Sequence, residues 1–396
     1  MRQTSETLGV YLSVPFCRAK CSFCNFASGV GTAEAVERYV EQLCREIRGL
    51  RAAATNAELA LPEDIDTVYL GGGTPSLLQD HQLASIFAAL RGEFRLREGA
   101  EITLEAAPGQ IEDSVLAAGL KLGINRVSLG VQSFVDREAQ AVGRSHTEAS
   151  CRAEFARLRQ AGVNNLGVDM IAGLPLQTEE SWAYSVKAAT GAGLDHLSVY
   201  MLEIDDESRL GREVLGGGAR LHAPAVPADD LVAEMYEYAC EQMPAAGFHQ
   251  YEISNFAAKG MMSRHNGKYW SRKPYVGFGL DAHSMLEGTD EKAYRWANPD
   301  ELADYTGAPM LETAAPVAER EAYEETVFLG LRPVAGLPRE TLARFPTAWQ
   351  QEFAEAALSL QRDGLMRFDE QAWSLTAKGR LVSSSVFGEL LSGVSV

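Results

Sequence analysis

Runs in which every second position is aliphatic recur along the first half of the chain. Val10, Leu12 and Val14 alternate with Tyr11 and Ser13, and Ile102, Leu104 and Ala106 alternate with Thr103 and Glu105. Val127, Leu129 and Val131 alternate with Ser128, Gly130 and Gln132, and Leu166, Val168 and Met170 with Gly167 and Asp169. A period of two marks a strand whose faces meet different surroundings. It predicts strands over 10–14, 67–70, 102–106, 126–131, 166–171 and 197–202. Segments of helical period lie between them, such as 33–51, 81–90, 114–122 and 179–192. Six such repeats predict a parallel sheet with right-handed crossovers. Six is short of the eight that close a barrel, so the barrel is partial.

Parallel strands buried on both faces read as continuous aliphatic runs. Here one face of each strand is aliphatic and packs under helices, and the other is polar. Tyr11, Glu105, Gln132 and Asp169 then share one interior, which makes it a binding cavity rather than a packed core.

After residue 230 the pattern changes. It predicts a helix over 231–243, a strand and turn over 248–256, helices over 321–331, 339–345 and 349–362, a hairpin around 365–375 and a last helix from 377. Helices followed by a small wing suggest a winged-helix shape. The longest irregular stretch is 207–230. A chain of 396 residues is too long for one ordinary core. The expected division is a partial (β/α)6 barrel over 1–225, an accessory α+β segment over 226–315 and a winged-helix-like domain over 316–396. The fold class is α/β.

The formal net charge of −18 argues against non-specific binding to nucleic acid or anionic lipid, and the terminal domain lacks a clustered basic face. No apolar run approaches a membrane span, and the first ten residues lack a leader pattern. Cys44, Cys151 and Cys240 read as buried free thiols, which suits a reducing cytoplasm. A homodimer is left open, since no residue pattern tests it.

The other three of six cysteines, Cys17, Cys21 and Cys24, fall inside eight residues directly after the first strand. Thiolates spaced C-x3-C-x2-C on a loop can wrap one inorganic centre. Structural zinc and a cubane [4Fe–4S] cluster each take four ligands, so three cysteines leave a position open. This spacing resembles the radical S-adenosylmethionine superfamily, in which the amino acid end of S-adenosylmethionine occupies the open iron. Gly71-Gly72-Gly73-Thr74-Pro75, after the second strand, resembles the glycine motif of that superfamily and would let a ligand approach bare backbone.

Further segments narrow the resemblance to the branch holding oxygen-independent coproporphyrinogen III dehydrogenases and HemW-type haem chaperones. They are Glu105-Ala106-Ala107-Pro108-Gly109, Leu129-Gly130-Val131-Gln132-Ser133-Phe134, Gly143-Arg144-Ser145-His146 and Val168-Asp169-Met170-Ile171-Ala172-Gly173-Leu174-Pro175. The resemblance implies a [4Fe–4S] cluster on Cys17, Cys21 and Cys24. It implies S-adenosylmethionine contacts from Tyr11, Phe23, Gly72, Gly73, Thr74, Glu105, Gln132, Arg144 and Asp169. Ala107 departs from the Asn usual in the family.

His265-Asn266-Gly267-Lys268-Tyr269-Trp270 matches a segment that the chaperone branch associates with haem. The resemblance makes His265 a haem ligand, with Tyr269 and Trp270 offering faces to the macrocycle. The leading expectation is a haem chaperone that passes haem to acceptor proteins. The alternatives are radical oxidative decarboxylation of coproporphyrinogen III in porphyrin biosynthesis, and a radical reaction on another substrate. Two features favour the chaperone. Phe26 stands where the dehydrogenase has a further cysteine, and only ten residues precede Tyr11 where the dehydrogenase carries an extension.

Overall fold

The computed structural model describes residues 6–305, 311 and 313–392. Six parallel strands, Leu8–Val14, Asp64–Gly72, Arg95–Ala106, Arg126–Gln132, Asn165–Ala172 and His196–Met201, lie side by side in chain order. Each pairs with the next. Every predicted strand is present. The third is much longer than its alternation suggested, because Arg95–Gly99 is largely exposed and carries no apolar face to mark it.

The aliphatic faces are sealed under helices. Val10, Leu12, Val68, Leu70, Val127, Leu129, Val168 and Met170 have no exposed surface. Each such side chain contributes about 1.5–3 kcal/mol on burial. A one-residue slip in register would turn all of them into the polar interior, so the pairing is well specified. The helices Ala33–Asn56, Glu148–Ala161 and Glu179–Thr190 start on Thr32, Thr147 and Thr178. These hydroxyls accept from the third helical N–H at 3.2 Å in each case.

The sheet stays open, and residues beyond 230 extend both its edges. Tyr275–Phe278 pairs parallel with the first strand, followed by antiparallel His283–Gly288, Ala293–Ala297 and Ala315–Pro316. At the other edge Asn255–Ala257 pairs antiparallel with His196–Met201. The stretch 207–230, expected to be irregular, contains the helix Arg209–Leu215 and the 3-10 segment Arg220–Ala225. Both are too short to show a helical period.

A second core forms within the chain end. Tyr323, Val327, Leu337, Phe353, Leu360 and Leu375 pack together, joined by Ile253 from the sheet side. Strands Leu337–Pro338, Met366–Phe368 and Ala372–Leu375 make a small separate sheet beside the helices Thr347–Arg362 and Ser383–Ser392. This end is tied back by Arg332 to Glu252 at 3.3 Å and Arg380 to Gln250 at 3.1 Å. Among the described residues no helix is long and apolar enough to cross a membrane.

Candidate functional site

The first strand ends at Val14 and runs into the cysteine loop. The loop closes on itself, because the Cys17 N–H donates to the Gly29 carbonyl and the Gly29 N–H to the Pro15 carbonyl, both at 2.9 Å. Its middle is clasped from two sides. The Ser22 N–H donates to Val142 at 3.1 Å, and the Ser22 carbonyl accepts from Leu210 at 2.8 Å. Leu210 lies in the short helix found inside 207–230, which is therefore a brace for the loop.

All three loop thiols are free, Cys21 buried and the other two half-buried. The Thr74 hydroxyl lies 3.5 Å from Cys17 Sγ. Burial pushes the Cys21 thiol up; Arg144 opposes this, while Cys24 and Cys17 reinforce it. Cys21 therefore feels both neighbouring sulfurs and two guanidinium groups, Arg144 and Arg209. Among the described residues no cluster of His, Cys, Asp or Glu closes on a single metal ion. Three thiols from one loop suit a cubane, which offers a separate iron to each ligand.

The glycine turn explains its own composition. The Gly73 N–H donates to Val14 at 2.9 Å and the Thr74 N–H to Phe16 at 2.8 Å, lacing the turn to the cysteine loop. A Cβ at Gly73 would lie 2.7 Å from the Val14 carbonyl oxygen and 2.8 Å from the backbone N and O of Phe16. The bare backbone at Gly73 thus admits the cysteine loop, where the sequence had suggested a ligand. Gly72 has a φ of +98°. At Gly71 a Cβ would come within 3.0 Å of Glu105 Oε2 and 3.1 Å of the Tyr11 ring.

Behind this turn lies the polar interior. The Tyr69 hydroxyl donates to Glu105 Oε1 at 2.6 Å, and Tyr11 stacks on Tyr69 with centroids 6.1 Å apart. Burial raises Glu105 to about 7; the Tyr69 hydrogen bond opposes this and Asp169 adds to it. Burial also raises Asp169, against the pull of Ser198 and Arg126. Gln132 sits at a break in strand register with a φ of +69°. Its Oε1 is buried without a partner, and so is Arg144 Nε. Gly130 makes room for Arg144, whose Nη2 lies 2.8 Å from where a Cβ would be. Phe23 packs beside Val142, Ile171 and Leu174. Ala107 is buried and offers no polar side-chain atom.

The structure therefore gathers Tyr11, Glu105, Gln132, Arg144 and Asp169 within the barrel interior beside the cysteine loop. Two orphaned buried polar atoms, two buried carboxylates and one guanidinium fit an amino acid nucleoside such as S-adenosylmethionine. One residue escaped the sequence reading. Arg126 is 2% exposed, its Nη1 is 3.4 Å from Thr103 Oγ1, and its Nε has no partner. The signal was present, since Arg126 shares the inward parity of Ser128, Gly130 and Gln132.

His265 is placed elsewhere. It lies on the helix Arg264–Trp270, at the opposite end of the strands, where Glu101 accepts from the N–H groups of Arg264 and His265 at 3.0 Å each. Lys268 reaches Asp66 and the Thr7 carbonyl, both at 2.8 Å. This short helix is a plug in the barrel floor. The His265 ring is 1% exposed, with Nδ1 2.9 Å from the Thr67 hydroxyl and Nε2 2.7 Å from the Tyr269 hydroxyl. It also stacks on Tyr69 at 5.3 Å. Burial lowers its pKa to about 3. A neutral imidazole has one lone pair on its ring nitrogens, and here both nitrogens are engaged. An iron at His265 would have to displace the Thr67 or the Tyr269 hydroxyl from its ring nitrogen.

Comparison with known proteins follows this geometry. A Radical SAM superfamily model matches residues 11–189, and a HemN C-terminal domain model matches residues 317–382. The chain is 33% identical over 389 residues to the heme chaperone HemW of Bacillus subtilis (strain 168), covering 96% of this chain and 98% of that protein. It is 34% identical over 394 residues to the heme chaperone HemW of Mycobacterium tuberculosis (strain ATCC 25618 / H37Rv), covering 98% and 95%. Among solved structures, coproporphyrinogen III oxidase (HemN) from Escherichia coli, a radical SAM enzyme, superposes with a TM-score of 0.80. That pair is 23% identical over 98% of this chain and 91% of the other, a likeness of fold.

Proposed function

We propose, for a chain that belongs to the radical S-adenosylmethionine superfamily and within it to the HemW family, that it is a haem chaperone passing haem to acceptor proteins. The observation that carries the reading is the near full-length likeness to HemW proteins, on a chain whose cysteine loop has no fourth thiol. The position of the dehydrogenase's further cysteine holds Phe26, whose ring is 60% exposed.

In this reading Cys17, Cys21 and Cys24 hold a [4Fe–4S] cluster and leave one iron open. Bound cluster and S-adenosylmethionine together supply one-electron chemistry or a sensing state. The chain's own work is recognition. Arg144 faces the ligand carboxylate as a charge-assisted donor, Glu105 and Asp169 accept from ribose hydroxyls, and Gln132 Oε1 gains its missing partner. Tyr11, Phe23, Gly72 and Thr74 line the same space. Tyr69 holds Glu105 in place through its 2.6 Å hydrogen bond. Six unpaired cysteines suit a reducing cytoplasm. Light scattering with and without haem reads whether two copies pair.

The test is anaerobic. Cluster-loaded protein receives S-adenosylmethionine, reductant and coproporphyrinogen III, and a second sample receives hemin. The expected result is one hemin per chain, transferable to an apo acceptor, and no vinyl porphyrin. Vinyl product would return the dehydrogenase reading, and absence of hemin binding would remove the chaperone reading.

A further inference from the structure

The polar faces of the six parallel strands do not balance in charge. Glu101, Glu105 and Asp169 all carry the inward parity, and Arg126 is the one buried lysine or arginine on these strands. Arg95 and Arg97, the other cations on them, are exposed or half-buried and bind Asp64. Glu101 is occupied at the floor by two backbone N–H groups, at 3.0 Å each. Glu105 and Asp169 face the S-adenosylmethionine space.

Strand register fixes where Arg126 stands. Tyr69 pairs with Thr103 and Thr103 with Arg126, so the three share one layer. Glu105 and Ser128 make the layer above, one inward step or about 7 Å along the strand. Asp169, opposite Gly130, stands one step higher, and the Ser128 hydroxyl reaches it at 3.4 Å. Arg126 Nη1 donates only to the Thr103 hydroxyl, at 3.4 Å, and Nε has no partner. Among the described residues no ion pair holds this guanidinium.

A buried charge without a partner is costly, and an apolar side chain of similar length would fill the space without that cost. Packing therefore does not account for Arg126, but its field does. Burial raises Glu105 to about 7, and Arg126 pulls the other way. Burial also raises Asp169, and Arg126 opposes this together with Ser198, Ser128 and Arg144. In the loaded site Arg144 is engaged by the ligand carboxylate, which leaves Arg126 as the cation for both carboxylates.

We propose that Arg126 is a positioning residue of the S-adenosylmethionine site, whose unpaired guanidinium keeps Glu105 and Asp169 charged from below so that both accept from ribose hydroxyls at neutral pH. The proposal rests on the S-adenosylmethionine reading above. Other titratable groups facing these carboxylates stay silent near neutrality. Tyr11, Tyr69, Tyr200 and Tyr269 are each raised by burial and remain neutral. His196 and His265, which also feel Arg126, are lowered by burial and remain uncharged. The ligand's own amine titrates alike in every variant and drops out of a comparison.

The test measures S-adenosylmethionine binding to cluster-loaded wild type, Arg126→Met and Arg126→Lys by equilibrium dialysis across about pH 5.5 to about pH 9. Wild-type affinity falls on acidification as the carboxylates take up protons. Without the guanidinium their pKa values rise, so Arg126→Met moves the midpoint upward by about one unit or more and loses roughly tenfold in affinity near pH 7. Arg126→Lys keeps the charge and stays within about half a unit of wild type. Metal-free Arg126→Met melts close to wild type at about pH 6, where protonated carboxyls no longer need the cation. An unmoved midpoint in Arg126→Met, or a lysine variant displaced as far as the methionine one, overturns the proposal. So does an Arg126→Met chain that does not fold at about pH 6, because that outcome makes the residue structural. Cluster-loaded wild type that binds no S-adenosylmethionine removes the site reading together with this one, whereas binding by wild type with silent variants removes the role of Arg126 alone.

Discussion

Replacing His265 by alanine separates a structural plug from an exposed haem ligand. The ring is buried, stacked on Tyr69, and bonded at both nitrogens. Truncating a buried aromatic side chain costs about 3–5 kcal/mol. Stranding a buried hydroxyl costs about 1–3 kcal/mol, partly relieved here because the Thr67 and Tyr269 hydroxyls can rotate. A net loss of about 4–6 kcal/mol at neutral pH follows. The pH dependence sharpens the expectation. The His265 pKa falls from 6.5 to about 3 on folding, so below 6.5 the unfolded chain binds a proton that the folded chain refuses. Wild type therefore loses stability on acidification through this residue and the variant does not. The gap between them narrows by about 1.4 kcal/mol from about pH 7.5 to about pH 5.5. Glu105 and Glu46, raised to about 7 and about 6 mainly by burial, act in the opposite direction but are common to both proteins and cancel. Urea unfolding of the metal-free proteins at the two pH values measures the gap. A variant as stable as wild type, or a gap that stays constant with pH, would refute the buried placement. Loss of hemin binding without loss of stability would restore His265 as a ligand.

Other expected outcomes concern the cluster and S-adenosylmethionine sites. Gly73→Ala forces a Cβ against backbone of Val14 and Phe16, so it should cost about 1–3 kcal/mol and lower cluster incorporation, read as brown absorbance per chain. Cys17→Ala, Cys21→Ala and Cys24→Ala should each abolish that absorbance, while circular dichroism of the metal-free chain stays native. Arg144→Ala should weaken S-adenosylmethionine binding to cluster-loaded protein by roughly tenfold or more in equilibrium dialysis, and an unchanged affinity would remove Arg144 from the site.

Much of this was legible in the chain because the information was local. Strand alternation needs only neighbouring residues, and its parity placed Tyr11, Glu105, Gln132 and Asp169 on one inner surface before any fold was known. The same parity marks Arg126, whose burial comes only from the strands packed around it. The cysteine spacing was equally local, since eight consecutive residues carry all three thiols. What the glycine turn does was harder to see. Gly73 is small because Val14 and Phe16 press on it from a segment more than fifty residues earlier, a contact no local pattern encodes.

His265 marks where the sequence stops. Its motif, taken alone, is consistent with an exposed ligand or a buried plug, because a short helix of seven residues has no period long enough to reveal which side is buried. Only the packing of the helix against the strands decided it, by setting Glu101 under the helix start and Thr67 against the ring. The meeting of Arg272 and Arg344 on the Thr326 hydroxyl also depends on the tertiary structure, since these residues come together only when the C-terminal helices dock beside the sheet edge. Short-range periodicity determined which faces are apolar and which residues could do chemistry. Long-range packing determined which of those residues meet a ligand, because burial and neighbouring charge are properties of the assembled fold.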